Sequence, residues 1–391
     1  MTIRSASTDI VHLNAAGAGL MPESVTAAIT SHLHLERRRG AHWAMQEAGT
    51  ALDETRLLAA RLLGVEPHHL AFGEQTSRLW ALAFASMPLE RGDRILLARN
   101  DWGGNILNVL QRAQASGAEI IRLPMSTSGL IDVERTASLI DDSTAAICVS
   151  AVASSFGALQ PVAALGALPR PEHCLYFVDG AQAVGQFDVT LPGVSADVMV
   201  APARKWLRGG RGQAMMALSG RAMRRLGAPP VLDQIAGSWQ PNDTFRLRED
   251  ARRFETWEFS AAGRLGLRAA LQELNGIGVA GVRADLADKL SRLETALHAV
   301  PGFQIFESEH GDRAFLTLHH ARIPADALVH ALATRDIAIA SIGPDYARWE
   351  LESRGLDKIA RIAPHIYTTN DDLARCADEI ARIVQIQART D

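Results

Sequence analysis

The chain has 391 residues, enough for two domains, and its 40 Lys and Arg against 44 Asp and Glu give a net charge of −4. With 47% hydrophobic and 21% charged residues and no dense basic block, the composition excludes disordered and collagen-like chains and proteins that track a nucleic acid backbone. Cys148, Cys174 and Cys376 are too few and too irregularly spaced for a disulfide framework or a metal site. Met1–Ile10 lacks the apolar core of a signal peptide, and no apolar run reaches the roughly 18 residues of a membrane span. We therefore expect a soluble protein of the cytoplasm.

Short apolar runs alternate with helical patterns through the first two thirds of the chain. The pattern predicts a helix over Ile106–Ala115 and strands at Arg94–Ala98, Glu119–Leu123, Ala145–Ser150, Leu175–Val178 and Val198–Val200. Strands that alternate with helices are typical of βαβ units. The predicted fold class is therefore α/β, with a mostly parallel sheet covered by helices on both faces.

The pattern changes after about Ser260. Long amphipathic helices are predicted at Gly263–Leu274 and Ala284–Val300, strands at Phe303–Phe306, Ala314–Leu318 and Ile337–Ile342, and a closing helix at Asp371–Ile386 with Asn370 as its N-cap. These elements predict a large α/β domain over residues 14–260 and a small α+β domain over residues 261–391, which residues 1–13 can join.

Leu175–Met216 carries the strongest chemical signal. Asp179 directly follows an apolar strand, and Lys205 follows a second strand 26 positions later, before a glycine-rich turn. Because the carboxyl ends of parallel strands face one crevice, both charges should point into the same pocket. A lysine held there can act as a Schiff-base amine, and a carboxylate beside it can pair with the protonated ring nitrogen of pyridoxal phosphate. A surface salt bridge would match this pair equally well.

Five further segments along the chain support the interpretation of Lys205 and Asp179 as a cofactor site. They are HLNAAGAGLMP (His12–Pro22), GEQTSRLWALA (Gly73–Ala83), VASSFGALQPV (Val152–Val162), RFETWEFSAAGRLGL (Arg253–Leu267) and RIAPHIYTTNDDL (Arg361–Leu373). Together they resemble the class V aminotransferase and cysteine desulfurase superfamily, the fold type I pyridoxal phosphate enzymes. The resemblance implies a seven-stranded type of sheet in the large domain, a smaller C-terminal domain, and a homodimer whose substrate is a small molecule, an amino acid.

The resemblance also implies roles for individual residues. Lys205 would form the internal aldimine with the cofactor and move protons at the substrate Cα. Asp179 would pair with the pyridine nitrogen, and Gln182 would approach the 3-oxygen of the ring. Trp102 occupies the place of the ring that stacks on the cofactor, although an ordinary core tryptophan would fit the same pattern.

Two further sets of residues would hold charged groups. Thr76 and Ser77 begin a helix where free N–H groups can bind the cofactor phosphate, and simple N-capping is the alternative. Arg361 matches the arginine that receives the substrate α-carboxylate, with a surface arginine as the alternative.

The sequence departs from the family pattern near these residues. Pro202 offers no hydroxyl where many relatives have Ser or Thr, so Arg204 is predicted to supply charge to the phosphate instead. Ser154 replaces an asparagine near the cofactor. Trp257 and Glu258 replace a Gly-Thr pair that the partner subunit usually lends, and a carboxylate cannot donate to a phosphate.

The reaction type depends on the pocket. Persulfide-forming desulfurases need a cysteine on a mobile loop, and the equivalent segment Ala338–Leu351 has none. The segments look most similar to the C–S lyase branch, such as hercynylcysteine sulfoxide lyases, which favours β-elimination from a cysteine-derived substrate. An aminotransferase, an epimerase similar to isopenicillin N epimerase, and a binding module without turnover remain alternatives.

Overall fold

The computed structural model describes residues 10–390. The signal-peptide prediction rests on Met1–Ile10, nearly all of which lies outside the described residues. Among residues 10–390, no helix is both long enough and apolar enough to cross a membrane.

The described chain alternates strands and helices over most of its length. Its strands are β1 (Val11–His12), β2 (Leu70–Gly73), β3 (Arg94–Leu97), β4 (Glu119–Arg122), β5 (Thr144–Ser150), β6 (Val152–Ala153), β7 (Phe156–Leu159), β8 (Leu175–Asp179), β9 (Val198–Pro202), β10 (Ala214–Leu218), β11 (Gly237–Gln240), β12 (Thr244–Leu247), β13 (Phe303–Ile305), β14 (Leu316–His320), β15 (Ile337–Ala338), β16 (Ala340–Ile342) and β17 (Ile359–Ile362). Its α-helices are α1 (Glu23–Arg39), α2 (Ala41–Glu47), α3 (Gly49–Leu63), α4 (Thr76–Ala85), α5 (Gly103–Ser116), α6 (Val133–Ala137), α7 (Val162–Gly166), α8 (Gly220–Arg225), α9 (Ala261–Ile277), α10 (Val279–His298), α11 (Ala325–Ala333), α12 (Pro344–Arg354) and α13 (Asn370–Thr390).

A seven-stranded sheet forms the centre of the molecule, in the order β2-β10-β9-β8-β5-β3-β4. Strands β4, β3, β5, β8 and β9 pair in parallel, and β10 runs antiparallel to both of its neighbours. Every residue of β5, β8, β9 and β10 is buried, which explains why these strands are continuous apolar runs and do not alternate. The predicted α/β class and seven-stranded sheet are confirmed.

Successive side chains of the central strands pack into two cores on opposite faces of the sheet. Val178 of β8 belongs to the core that includes Leu63 of α3 and Leu267 of α9. Its neighbour Phe177 belongs to the opposite core, where its ring meets those of Trp80 and Phe84 on α4 edge-on. Because β3, β4, β5, β8 and β9 run parallel, their carboxyl ends meet at the same edge of the sheet.

A smaller antiparallel sheet, in the order β13-β14-β17-β16, lies in the C-terminal part of the chain. Helices α10, α11 and α13 share its apolar core. The prediction of a single strand over Ile337–Ile342 is wrong, because β15 pairs in parallel with β1 while β16 joins β17. The predicted N-cap of the last helix is also wrong: Asn370 is its first residue, and the Thr369 hydroxyl accepts from the Asp372 amide.

Candidate active site

A cavity of about 390 Å³ opens where the carboxyl ends of the parallel strands meet the start of α4. This volume lies within the range of small-molecule sites, roughly 300–1,000 Å³. Eight of the nine site residues predicted from the sequence line it: Thr76, Ser77, Trp102, Ser154, Asp179, Gln182, Arg204 and Lys205.

Lys205 lies three residues beyond β9 and is only 9% exposed. The sequence contains three lysines, and the other two are paired, Lys289 with Asp285 and Lys358 with Asp326. The amine of Lys205 forms no salt bridge or hydrogen bond with residues 10–390. Burial lowers the pKa of Lys205 to about 7, although the nearby charge of Asp179 raises it and that of Arg204 lowers it further. A buried amine that is half deprotonated at neutral pH is suited to nucleophilic chemistry.

Asp179 is the last residue of β8 and is buried at the floor of the cavity. Its Oδ1 accepts a hydrogen bond from the Ala181 amide at 2.8 Å, and its Oδ2 accepts one from Asn105 Nδ2 at 2.8 Å. Burial raises the pKa of the Asp179 carboxyl, while the charge of Lys205 works in the opposite direction. The carboxylate is therefore held in a fixed orientation beside the unpaired lysine.

Gln182 has a fixed amide orientation. Its Oε1 accepts a hydrogen bond from the indole N–H of Trp206 at 2.9 Å, and its Nε2 donates to the Ala16 carbonyl at 3.0 Å. Because the oxygen is already turned towards an N–H donor, the amide nitrogen is the group with a hydrogen left for a ligand.

Trp102 is the N-cap residue of α5, and its ring lines the cavity. The ring stacks on Tyr346 of α12, with centroids 5.3 Å apart and planes inclined by 21°. One face of the indole is thus occupied by an aromatic neighbour within the chain, and stacking on a cofactor would use the other face.

The N-terminus of α4 lines the cavity together with two arginines and with Glu74. Thr76 and Ser77 form the first turn of this helix, whose N-cap residue Gln75 makes no side-chain capping bond. Neither the Thr76 nor the Ser77 hydroxyl makes a hydrogen bond with residues 10–390, so the alternative role of these residues in capping α4 is not seen. Arg204 and Arg211 also line the cavity, and the combination of helix N-terminus and guanidinium groups favours an anion.

Arg361 of β17 is buried against the cavity wall without lining the cavity itself. Its Nη1 donates to the carbonyl of Ser154 at 3.0 Å, and its guanidinium lies 5.3 Å from the centre of the Phe315 ring. Burial lowers the pKa of Arg361 to about 10, and the charge of Arg204 lowers it further. Among the residues in the structure, none supplies Arg361 with a carboxylate, so an anionic ligand could satisfy it.

Three residues at the site were not predicted from the sequence to be functional: Asp101, Asn105 and Ser150. They lie beneath Trp102 and Asp179 and link them by hydrogen bonds. The available signal was the pair of polar residues at Asp101 and Asn105, one just before the N-cap of α5 and the other in its first turn.

The thiols of all three cysteines in the sequence are inaccessible. Cys148, Cys174 and Cys376 are buried. Burial raises the pKa of both the Cys174 and the Cys376 thiol to about 12, and raises that of Cys148 as well. A reactive thiolate needs exposure and a lowered pKa, so none of these cysteines is suited to carry sulfur.

The chain is similar to known proteins over most of its length. The model of the aminotransferase class-V family matches residues 11–376. A probable hercynylcysteine sulfoxide lyase of Mycobacterium tuberculosis is 28% identical over 374 residues, which cover 95% of this chain and 89% of that protein.

Two solved structures share the fold. A cysteine desulfurase from Escherichia coli superposes with a TM-score of 0.89 at 20% identity, over 98% of this chain and 97% of that one. A cystine C–S lyase in complex with its product cysteine persulfide superposes with a TM-score of 0.84 at 19% identity, over 95% of this chain and 98% of that one.

Proposed function

Because the chain belongs to the aminotransferase class-V family of pyridoxal phosphate enzymes, we propose that it is a C–S β-lyase acting on a cysteine-derived amino acid. The observation that carries the proposal is the buried, unpaired amine of Lys205 in one cavity with the anchored carboxylate of Asp179. The similarity to a probable hercynylcysteine sulfoxide lyase over 95% of the chain supports the choice of a lyase.

The residues of the cavity fit pyridoxal phosphate by their chemistry. An aldehyde needs a free amine, a protonated ring nitrogen needs a buried carboxylate, and a phosphate needs N–H donors and positive charge. Lys205, Asp179 and the group around Arg204 supply these three features. The buried Oγ of Ser154 has no partner in the described chain and is available to a further polar atom.

Each site residue then has a task. Lys205 would carry the cofactor covalently, Asp179 would pair with the ring nitrogen, and the free N–H of Gln182 would donate to the 3-oxygen. Trp102 would stack on the ring. Thr76, Ser77 and Arg204 would hold the phosphate, with the Arg204 guanidinium in place of the hydroxyl that Pro202 lacks.

When bound, pyridoxal phosphate supplies an electron sink for the charge left after proton removal. Arg361 lies behind the cavity wall at Ser154, and a turn of its guanidinium into the cavity would let it bind the substrate α-carboxylate and fix the Cα–H bond relative to Lys205. The substrate amine would displace the Lys205 amine from the cofactor, which frees Lys205 to remove the Cα proton. The electron pair left at Cα would then form the Cα–Cβ double bond as the Cβ–S bond breaks. The sulfur fragment leaves with the electron pair of that bond and a proton, and one water converts the remainder to pyruvate and ammonia.

The cysteines distinguish a lyase of this kind from a desulfurase that relays sulfur. Ala338–Leu351 contains no cysteine, and all three thiols are buried. The sulfur therefore leaves on the substrate fragment and is not transferred to a protein thiol.

The test is product analysis with the purified holoenzyme and a panel of S-substituted cysteines and their S-oxides. The proposal predicts equal amounts of pyruvate and ammonia without any added keto acid. A keto acid that forms only with an amino-group acceptor would indicate an aminotransferase instead. Exchange of the Cα proton with solvent without cleavage would indicate an epimerase. A protein that stays colourless with added pyridoxal phosphate would be a binding module.

A further inference from the structure

Asp101 is a completely buried carboxyl group between β3 and α5. Its Oδ1 accepts three hydrogen bonds: from the Trp102 amide at 2.6 Å, from Ser150 Oγ at 2.6 Å and from Asn105 Nδ2 at 3.2 Å. Its Oδ2 accepts none from residues 10–390. One oxygen atom thus joins the N-terminus of a helix, the end of β5 and a side chain of α5.

Asn105 extends this contact to Asp179. The two hydrogens of its Nδ2 go to two carboxyl groups, one to Asp101 Oδ1 and the other to Asp179 Oδ2 at 2.8 Å. Since both neighbours are acceptors, the amide must present its nitrogen to them, and its orientation is fixed. Asp101 therefore aims the donor that anchors Asp179.

We propose that Asp101 is a positioning residue of the active site, which acts through Trp102 and through Asn105 to hold the aromatic wall and the carboxylate that faces the cofactor ring. The inference rests on the proposed function for the role of Asp179. Asp101 itself touches neither substrate nor cofactor: Trp102, Ser150 and Asp179 line the cavity, and Asp101 lies behind them.

The arrangement predicts which substitution is tolerated. Burial raises the pKa of Asp101 to about 7, and the charge of Asp179 adds to the effect. A neutral carboxyl group keeps a carbonyl-type acceptor at Oδ1. Asparagine offers the same acceptor, with its NH₂ at the position of the unpartnered Oδ2, so Asp101→Asn should preserve the three hydrogen bonds that Asp101→Ala removes.

The experiment compares both variants, loaded with pyridoxal phosphate, by the visible absorption band of the bound cofactor and by the cofactor dissociation constant. In Asp101→Ala the Asn105 amide is no longer held against Asp179. We expect this change to shift the absorption band of the bound cofactor, or the pH midpoint at which that band changes, and to weaken cofactor binding about tenfold or more. Asp101→Asn should restore both values close to wild type. A purely structural role would lower the melting temperature of Asp101→Ala without moving the band.

Asp197→Ala is the matched control. Asp197 is also buried, immediately before β9, where it accepts from the Tyr176 amide and from Ser219 Oγ and does not line the cavity. Its replacement should destabilise the fold and leave the cofactor band unchanged. If Asp101→Ala does not fold, Asn105→Ala removes the bridge between Asp101 and Asp179, keeps the bonds of Asp101 to Trp102 and Ser150, and must show the band shift.

Two results would overturn the inference: a wild-type band in Asp101→Ala or in Asn105→Ala, or losses in Asp101→Asn as large as those in Asp101→Ala. Failure of the proposed function is distinguishable, because product analysis of the wild-type protein tests the lyase reaction, whereas the cofactor band and dissociation constant of the variants require only that the protein binds pyridoxal phosphate.

Discussion

Lys205 differs from Lys289 and Lys358 in its electrostatic surroundings. The other two lysines donate to carboxylates, and the pKa of Lys358 is raised by its bond to Asp326. Lys205 has lost its hydration by burial without gaining a hydrogen bond in return. Because burial disfavours the charged form, a larger share of this amine is neutral and able to react at neutral pH.

The pKa of Lys205 predicts how covalent cofactor loading depends on pH. Since burial lowers this pKa to about 7, the amine is mostly charged and unreactive below pH 7 and mostly neutral above it. The rate at which cofactor-free protein incorporates pyridoxal phosphate should rise from pH 6 to pH 8 and then level off. Stopped-flow absorbance measures this rate. A rate that still rises about tenfold from pH 8 to pH 9 would mean an amine with the ordinary lysine pKa of about 10.4.

The contact between α5 and α12 links the two sheets at the cavity. Tyr346 of α12 stacks on Trp102, and the backbone of α12 approaches Gly103 so closely that an added Cβ would lie 2.7 Å from the Asp345 carbonyl oxygen. Glycine is needed here because another segment of backbone occupies the space of a side chain. The packing of α12 therefore determines where the Trp102 ring lies.

Gly103→Ala tests this packing. The added methyl group must displace α12, at a cost of roughly 1–3 kcal/mol for overpacking, and should release Trp102 from Tyr346. We expect a lower melting temperature and weaker binding of pyridoxal phosphate, measured by calorimetry and by cofactor titration. Gly49→Ala is the matched control, because Gly49 is also the first residue of a helix and has nothing within 4 Å of the added Cβ. Equal effects of the two substitutions would contradict the account.

Elements with a strong local pattern were predictable from the sequence. The runs at Leu175–Val178 and Val198–Val200 are strands β8 and β9, each longer at its carboxyl end by the residues that enter the site. The division of Ile337–Ile342 between two sheets was not predictable, because it depends on pairing with β1, more than 300 residues earlier in the chain. The bond between Asn105 and Asp179 joins residues 74 positions apart and exists only because β3 and β8 flank β5.

At the scale of the whole molecule, Trp257 leaves apolar surface uncovered. The side chain is 41% exposed, so the described part of the chain does not cover it. It lines a second cavity, of about 400 Å³, which shares Glu74 and Gln213 with the candidate active site. A second copy of the chain that covered Trp257 would thus also reach the edge of the site, and a two-fold interface would bury the ring on both subunits.

We therefore predict a homodimer. Light scattering at micromolar protein should give about twice the chain mass of 42.2 kDa. Trp257→Ala should weaken both association and cofactor retention, since it removes a large apolar contact next to the site. A fully active monomer would show that the partner subunit contributes nothing to catalysis.

The central claim is that Lys205 is the amine that carries the cofactor, and the small number of lysines makes it directly testable. Borohydride reduction of the holoenzyme, followed by proteolysis and mass spectrometry, identifies the residue that bears the reduced pyridoxyl group. The account predicts this label on the peptide that contains Lys205 and its absence in Lys205→Ala. A label on Lys289 or Lys358, or a holoenzyme that carries no label, would contradict it.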